Sequence, residues 1–371
     1  MSEADLHQPP PAVRPARLLI LAIAEGVIVA ALVIALIVVS IRHNGGTANA
    51  SSATGQADPG TAMCPAIPVA EQVLPSIVTI SASRGNQAGT GSGQVFRDGG
   101  YILTNDHVVS PAAGGGTVAV RYSDGHTSAA TIVGRDPSTD LAVLKASDEA
   151  KGRSVIGLGS SAQLKVGQPV VALGAPLGLA STVTSGIISA LDRYVPVPGD
   201  TVTHHLVGAI QTDAAINPGN SGGALVDCAG KLVGVNAAIA TVPNAAGVSG
   251  GGSVGLGFAI PIDLANPIAD QLIKTGKPGH PATGLQVQEI PPALAKASGS
   301  TAGLFVLAAT GPATKAGLQT GDIITKIDGA AAVSSEQIVV ATLTRKVGDT
   351  IELTYERAGA SNTTTLTLAA P

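Results

Sequence analysis

The sequence predicts a mostly-β protein: two small β-barrels and then a compact α+β module, preceded by one N-terminal transmembrane helix. Three observations carry this prediction. From about residue 73 to 260, Val, Thr, Gly and Ile dominate in short runs divided by turn residues, which favours strands over helices. There are enough such runs for two small barrels. Composition changes after Gly276-Lys277-Pro278-Gly279, and Leu18–Ile41 is an apolar run whose strongly polar members are Glu25 and Ser40.

As a helix, the N-terminal run would span roughly 36 Å, enough to cross a bilayer. Arg14 and Arg17 precede it and Arg42 follows, so the basic excess places residues 1–17 in the cytoplasm. A cleaved signal peptide is the competing reading, because Ala48-Asn49-Ala50 fits a small-residue cleavage site. Signal-peptide apolar regions usually have about 7–15 residues, fewer than this run has. A retained single-pass anchor over residues 18–41 is therefore expected, with everything after it outside the cytoplasm. Residues 42–65 follow as a flexible linker of small and polar residues.

Strand-type sequence begins at Val73–Ser83. Further runs follow at Gly93–Phe96, Tyr101–Thr104, Val118–Tyr122, Ala129–Val133, Leu141–Lys145 and Pro169–Gly174. The last of this set are Val183–Ala190, Leu206–Thr212, Gly223–Val226, Leu232–Asn236 and Gly255–Ile260. Apolar positions Leu264, Ile268, Leu272 and Ile273 give Asp263–Thr275 a helical period, and the Gly-Lys-Pro-Gly stretch stops it. Beyond it, strands are expected near Leu285–Glu289, Gly303–Ala308, Ile323–Ile327, Thr350–Glu356 and Thr363–Leu368. Helices are expected at Pro312–Ala316 and Ser335–Arg345. At roughly 90 residues this last part can stand as a domain.

Hydrophobic residues make up 45% of the 371, which allows a substantial core. With no Trp and aromatics at 2%, that core must be aliphatic. Charged residues are 12% and the net charge is −4, without the basic patch that nucleic-acid binding needs. No His/Cys cluster has metal-ligand spacing, so no metal and no cofactor is expected. Cys64 and Cys228 both fall outside the cytoplasm, where a disulfide between them is allowed; two unpaired thiols are the alternative.

The chemistry is concentrated in Gly219-Asn220-Ser221-Gly222-Gly223. Glycine permits the close approach and unusual backbone angles that a nucleophilic serine requires. A tight turn is the alternative, since Gly, Asn and Ser are also turn residues. A serine nucleophile needs a base, and the base needs an orienting carboxylate. His107 stands out among seven histidines because it follows the apolar strand Tyr101–Thr104. His204 and His205 read as solvated loop residues, and His280 as a turn residue. Asp140 directly precedes the buried-type run Leu141–Leu144, whereas Asp136 precedes Pro137 and reads as a turn residue. Asp106 would point away from His107 along an extended strand. The order His107, Asp140, Ser221 is one of the known orders of a catalytic triad.

Four segments resemble the signatures of HtrA/Deg-type serine proteases: Thr104–Val109 (TNDHVV), Thr139–Lys145 (TDLAVLK), Gln211–Asp227 (QTDAAINPGNSGGALVD) and Gly255–Ile262 (GLGFAIPI). Lys315–Gly329 (KAGLQTGDIITKIDG) is similar to the core of that family's PDZ domain. The resemblance covers about residues 66–371. It implies a chymotrypsin-like double β-barrel protease domain over 66–262, a linker helix over 263–282 and a PDZ domain over 283–371.

It also implies roles. Ser221 attacks, His107 is the base and then the acid, and Asp140 orients His107. The N–H groups of Gly219 and Ser221 form the oxyanion hole. Ile216 and Asn236-Ala237-Ala238-Ile239 line the pocket for the residue before the cleaved bond. These are small or apolar, so cleavage after small aliphatic residues is expected. At Thr283-Gly284-Leu285-Gln286 the PDZ domain would take a peptide C-terminus, although Thr-Gly-Leu departs from the family's aromatic-Leu-Gly type sequence; a packing or docking domain is the alternative.

Asn220 stands where digestive relatives carry an Asp that pairs with a newly cut N-terminus, so that activation route is closed. The glycine-rich stretch Val242–Gly257 reads either as an element beside the pocket that orders when substrate or the PDZ domain engages, or as a tolerated surface insertion. Cys64–Ser83 contains no aromatic, so trimerisation through N-terminal aromatics is not expected, and homo-oligomerisation by another route stays open. The expected substrates are unfolded, damaged or specific envelope polypeptides. A binding scaffold of the same fold with little turnover is the alternative, although a scaffold has no need of all three residues. A thioester or ester hydrolase is a third reading; the serine here is followed by two glycines.

Overall fold

The computed structural model describes residues 63–175, 182–199, 203–239 and 253–371. The apolar run Leu18–Ile41, Glu25 within it and the linker up to residue 62 lie outside these residues. Among the described residues no helix is long and apolar enough to cross a membrane.

Strands β1 (Ile77–Arg84), β2 (Gln87–Arg97), β3 (Tyr101–Thr104), β4 (Thr117–Tyr122), β5 (Thr127–Asp136) and β6 (Leu141–Ala146) close into a barrel in the order β1-β2-β3-β6-β5-β4. A second barrel is built from β7 (Pro169–Gly174), β8 (Thr182–Pro198), β9 (Thr203–Thr212), β10 (Ala224–Val226), β11 (Leu232–Ile239) and β12 (Gly257–Pro261), in the order β10-β11-β12-β9-β8-β7. Closure pairs every strand on both sides and removes the aggregation-prone edge. The first barrel is filled by Val78, Ile80, Ile102, Val120 and Leu144, and the second by Val170, Ile188, Ile210 and Leu225. These are aliphatic, as the scarcity of aromatics requires.

Among the described residues, three α-helical segments accompany the barrels. Helix α1 (Ala66–Val73) ends at Val73, where the sequence predicts the strand-rich region to begin. Its apolar face is carried by Val69 and Val73, one helical turn apart and both buried. A 3₁₀ turn over Leu74–Ser76 then delivers the chain to β1. One short turn, α2 (Asp106–Val109), follows β3. Helix α3 (Ile262–Thr275) ends at Gly276, whose φ of 73° is the left-handed geometry that closes a helix. It buries Ile262, Ala265, Ile268, Ala269 and Leu272. These join Ile77, Phe96, Leu103 and Leu141 of the first barrel and Leu173, Leu206 and Val235 of the second in one apolar cluster. That shared cluster fixes one barrel against the other.

Cys64 and Cys228 form a disulfide, with sulfurs 2.02 Å apart, joining positions 164 residues apart. The bridge ties the segment before α1 to the turn after β10. Gln72 of α1 adds a hydrogen bond from Nε2 to the Ala229 carbonyl in that turn, at 3.2 Å.

The C-terminal module is one sheet in the order β13 (Leu285–Ile290), β14 (Gly303–Ala309), β15 (Ile323–Ile327), β17 (Thr350–Arg357) and β18 (Ala360–Thr367), with β16 (Ala330–Ala331) beside β15. Helices α4 (Pro292–Ser298), α5 (Gly311–Lys315) and α6 (Glu336–Thr344) accompany it. Its core is Leu304, Val306, Leu318, Ile324, Ile351, Leu353 and Leu366. Helix α4 has no counterpart in the sequence reading, because Ala-Leu-Ala-Lys-Ala over one turn shows no resolvable apolar period. β13 lies at the open end of the sheet order.

Candidate active site

Antiparallel pairing of β3 with β6 sets Thr104 opposite Ala142. The residues just after β3 therefore meet those just before β6. His107 and Asp140 sit at that junction. His107 Nδ1 lies 2.8 Å from Asp140 Oδ2 and 3.0 Å from Oδ1, and the His107 backbone N–H donates to Oδ1 at 3.0 Å. The carboxylate that fixes the ring also fixes its backbone.

Asp140 is buried, 2% exposed, with φ 57°. A non-glycine residue in this left-handed region costs on the order of 1–3 kcal/mol and persists when its surroundings hold it. They do so here, where Asn105 Nδ2 donates to the Asp140 carbonyl at 2.8 Å. Burial alone would lower the His107 pKa. The hydrogen bond to Asp140, its charge and that of Asp106 outweigh burial, so the pKa lies above the ordinary value of 6.5.

Asp106 is not on an extended strand. It opens the helical turn α2, and both its oxygens are held by Arg135, at 2.7 and 2.9 Å. Burial raises its carboxyl pKa more than the Arg135 bonds and charge lower it.

Ser221 approaches from the second barrel, in the loop before β10. Gly222 has φ 82°, and a Cβ there would lie 2.2 Å from the Ser92 carbonyl oxygen. Glycine is required because the loop passes this close to β2. Ser92, fully buried on β2, grips the loop: its N–H donates to the Ser221 carbonyl at 2.8 Å, and its hydroxyl donates to the Gly219 carbonyl at 2.6 Å. The same hydroxyl accepts the Ala175 N–H at 2.8 Å. Ser92 was not singled out in the sequence; its Gly-Ser-Gly setting is the signal that was there to find.

Among the described residues, neither the Gly219 nor the Ser221 N–H has an acceptor, whereas the Asn220 N–H is turned to Asn217 O. The Ser221 hydroxyl donates to the Ala237 carbonyl at 3.4 Å and makes no bond to His107. Asn220 is buried, with Nδ2 3.5 Å from the Ala215 carbonyl and Oδ1 unpartnered.

His107 and Ser221 line one cleft of about 590 Å³. Ile216, Asn217, Pro218 and Ala237 line it too, and Arg135, Pro137, Pro198 and His204 also border it. Of the residues expected to line the pocket, Ile216 and Ala237 do. Asn236 does not: it is fully buried and its amide is turned to the Ala224 and Leu173 carbonyls, at 3.0 and 3.4 Å. The β11–β12 register shifts between Asn236 and Ala238, so Ala237 is an extra residue without a partner on β12, and it is Ala237 that borders the cleft. The side chains of Ala238 and Ile239 lie outside the described residues, as do positions 240–252 of the glycine-rich stretch. Where that stretch returns, Ser253 N–H donates to Asn217 Oδ1 at 2.9 Å, a contact with the nucleophile loop.

The histidines set aside in the sequence are placed otherwise. His204 and His205 lie on β9, not in a solvated loop. His204 is 5% exposed, donates from Nδ1 to the Pro137 carbonyl at 2.6 Å, and has its ring centroid 6.3 Å from that of His107. Their neighbours in the fold come from the distant 136–140 turn, which the local sequence does not reveal. His280 Nε2 lies 2.6 Å from Asp136 Oδ2.

In the C-terminal module, Gly284 has φ 72° and its carbonyl accepts the Thr310 N–H at 2.8 Å. Thr283 is buried, and its hydroxyl accepts the Leu285 N–H at 3.2 Å. Leu285 and Gln286 begin the edge strand β13.

Known families match both parts: residues 91–235 match the trypsin-like peptidase domain and residues 285–368 the PDZ domain. Serine protease PepD of Mycobacterium tuberculosis is 44% identical over 308 residues, covering 81% of this chain and 65% of that protein. A probable periplasmic serine endoprotease DegP-like of Pseudomonas putida is 43% identical over 252 residues, covering 67% of this chain and 49% of that protein. The chain thus spans less than two thirds of the length of either relative. It spans 70% of the serine protease Do-like HtrA of Lactococcus lactis, at 38% identity and covering 75% of this chain. Among solved structures, the HtrA-type protease AlgW with decapeptide superposes with a TM-score of 0.63 at 33% identity, covering 82% of this chain and 98% of that one.

Proposed function

The chain belongs to the HtrA-type serine proteases, and on that premise we propose that it is an extracytoplasmic endopeptidase acting by a Ser221–His107–Asp140 acyl-enzyme mechanism. One observation supports the mechanism: His107, held by Asp140, and Ser221 line one cleft, and the Gly219 and Ser221 N–H groups have no acceptor among the described residues. Substrate entry displaces the Ser221–Ala237 hydrogen bond. Ser221 Oγ then bonds to the scissile carbonyl carbon while its proton passes to His107 Nε2. Negative charge on the carbonyl oxygen is met by Gly219 and Ser221 N–H, one such donor being worth roughly 2.7–4 kcal/mol. As the intermediate collapses, the C–N bond breaks and His107 returns the proton to the leaving amine. Water, deprotonated by His107, hydrolyses the ester and restores Ser221.

The buried Ile216 and Ala237 beside Ser221 favour a small aliphatic residue before the cleaved bond. The substrates proposed are unfolded, damaged or specific envelope polypeptides, which fits the relatives named periplasmic endoproteases. Residues 66–262 form the protease domain, 263–282 the linker helix and 283–371 the PDZ domain. A peptide strand would add along β13, with its C-terminus near Thr283–Gln286. Because Thr283 already holds the Leu285 N–H, carboxylate capture there requires that hydroxyl to turn away. Residues 18–41 would anchor the chain in the membrane; recovery of the full chain in the supernatant of an alkaline membrane wash contradicts this. The detergent-extracted full chain is expected to degrade an unfolded protein and Ser221→Ala is not, with cuts following Val, Ala or Ile. A cleavage profile dominated by Arg or Lys contradicts the pocket assignment.

A further inference from the structure

We propose that His280, in the segment joining α3 to the PDZ sheet, is a positioning residue for Asp140. The inference rests on the triad reading above. It starts from Asp136, the last residue of β5, which is fully buried. Its Oδ2 accepts from His280 Nε2 at 2.6 Å and from Thr139 Oγ1 at 2.5 Å, while Oδ1 has no partner among the described residues. A buried carboxylate reduced to a single hydroxyl donor is strongly disfavoured and will move. His280 is thus what holds Asp136 in place.

Asp136 matters because it begins the turn that ends at Asp140. Thr139, bonded to Asp136, directly precedes Asp140, whose left-handed backbone persists only while its neighbours hold it. The other tethers come from elsewhere: His204 Nδ1 on the Pro137 carbonyl, His205 N–H on the Ser138 carbonyl at 2.7 Å, and Asn105 on the Asp140 carbonyl. Each residue from 136 to 140 is therefore held, and His280 contributes the one tether that comes from outside the two barrels.

That tether leads to the PDZ domain. One residue before His280, Gly279 N–H donates to Gln271 Oε1 of α3 at 2.9 Å. Two residues after it, Ala282 and Ala369 exchange backbone hydrogen bonds at 2.8 and 3.2 Å, pinning the segment to the end of the PDZ sheet. A shift of the PDZ domain is thereby passed through three residues to the turn that carries Asp140.

The test uses the full chain in detergent, with the wild type, His280→Ala and His280→Gln, the last keeping an N–H donor near the Nε2 position. Steady-state kinetics on a small-aliphatic peptide, the pH–rate profile and the rate of fluorophosphonate labelling at Ser221 are measured. His280→Ala is expected to lower kcat by about tenfold or more, the size of one lost charge-assisted bond, with KM within about twofold. The acid limb of its profile should move to lower pH, because a displaced Asp140 no longer supports the charge on His107. The groups that set this limb are Asp140, Asp106 with its partner Arg135, and His204 beside the ring. His280→Gln should recover most of kcat. A folded His280→Ala with wild-type kcat, labelling rate and acid limb overturns the proposal, as does equal loss in the Ala and Gln variants. If His280→Ala does not melt cooperatively, His280→Asn, too short to reach Asp136, carries the same expectations. A wild type that forms no Ser221 adduct instead overturns the triad reading itself.

Discussion

At the residue scale, the site is a set of local exceptions kept in place by ordinary hydrogen bonds. Asp140 adopts a left-handed backbone, Gly222 leaves no room for a side chain, and Ser92 bonds to two carbonyls of the nucleophile loop. His107 must be neutral to take the Ser221 proton, and its pKa is raised, so kcat/KM should fall as pH drops through a value above 6.5. Asp140→Asn removes the charge and the hydrogen bond that raise that pKa. It should lower kcat on the order of 10⁴-fold and move the acid limb to lower pH. A steady-state pH profile checks both, and an unmoved limb would mean that Asp140 does not set the histidine's charge. His107 and Asp140 were legible because each sits at the end of an apolar strand. Ser92 and His280 were not. Their partners lie 127 and 144 positions away, and no local pattern records such a distance.

At the element scale, strand pairing does the positioning. The β3–β6 register joins His107 and Asp140, the proposed base and its carboxylate, and Ser92 on β2 bonds to the loop that carries Ser221. Most strands were readable from Val, Ile and Thr runs bounded by glycine. Helix α1 was not, because eight residues with two buried valines resemble a strand entry as much as a helix. The Cys64–Cys228 bridge holds this helix against the turn after β10. Removing a native bridge typically costs about 2–5 kcal/mol. Cys64→Ser/Cys228→Ser should therefore melt at a lower temperature than the wild type in calorimetry, while Ser221 still labels below the transition. An unchanged melting temperature would show that the bridge contributes nothing to the barrels' stability.

At the scale of the whole molecule, the two barrels divide the chemistry. His107 and Asp140 come from the first and Ser221 from the second, so the cleft exists only while the shared apolar cluster holds the barrels together. The double barrel and the PDZ sheet were both foreseeable, since strand-rich composition and the break at Gly276–Gly279 mark them in the sequence. The contact of His280 with Asp136 was not, because it arises where β5 and the segment after α3 converge. Asn236 shows the same limit on a smaller scale: membership of the pocket segment did not decide which face of β11 its side chain occupies.

The central claim is that Ser221 is a nucleophile activated by His107. Intact-mass analysis after fluorophosphonate treatment of the full chain tests it most directly. One covalent adduct, mapped by peptide sequencing to Ser221 and lost in both Ser221→Ala and His107→Ala, is the predicted result. No adduct in the folded wild type, or an adduct that forms equally fast in His107→Ala, would contradict it.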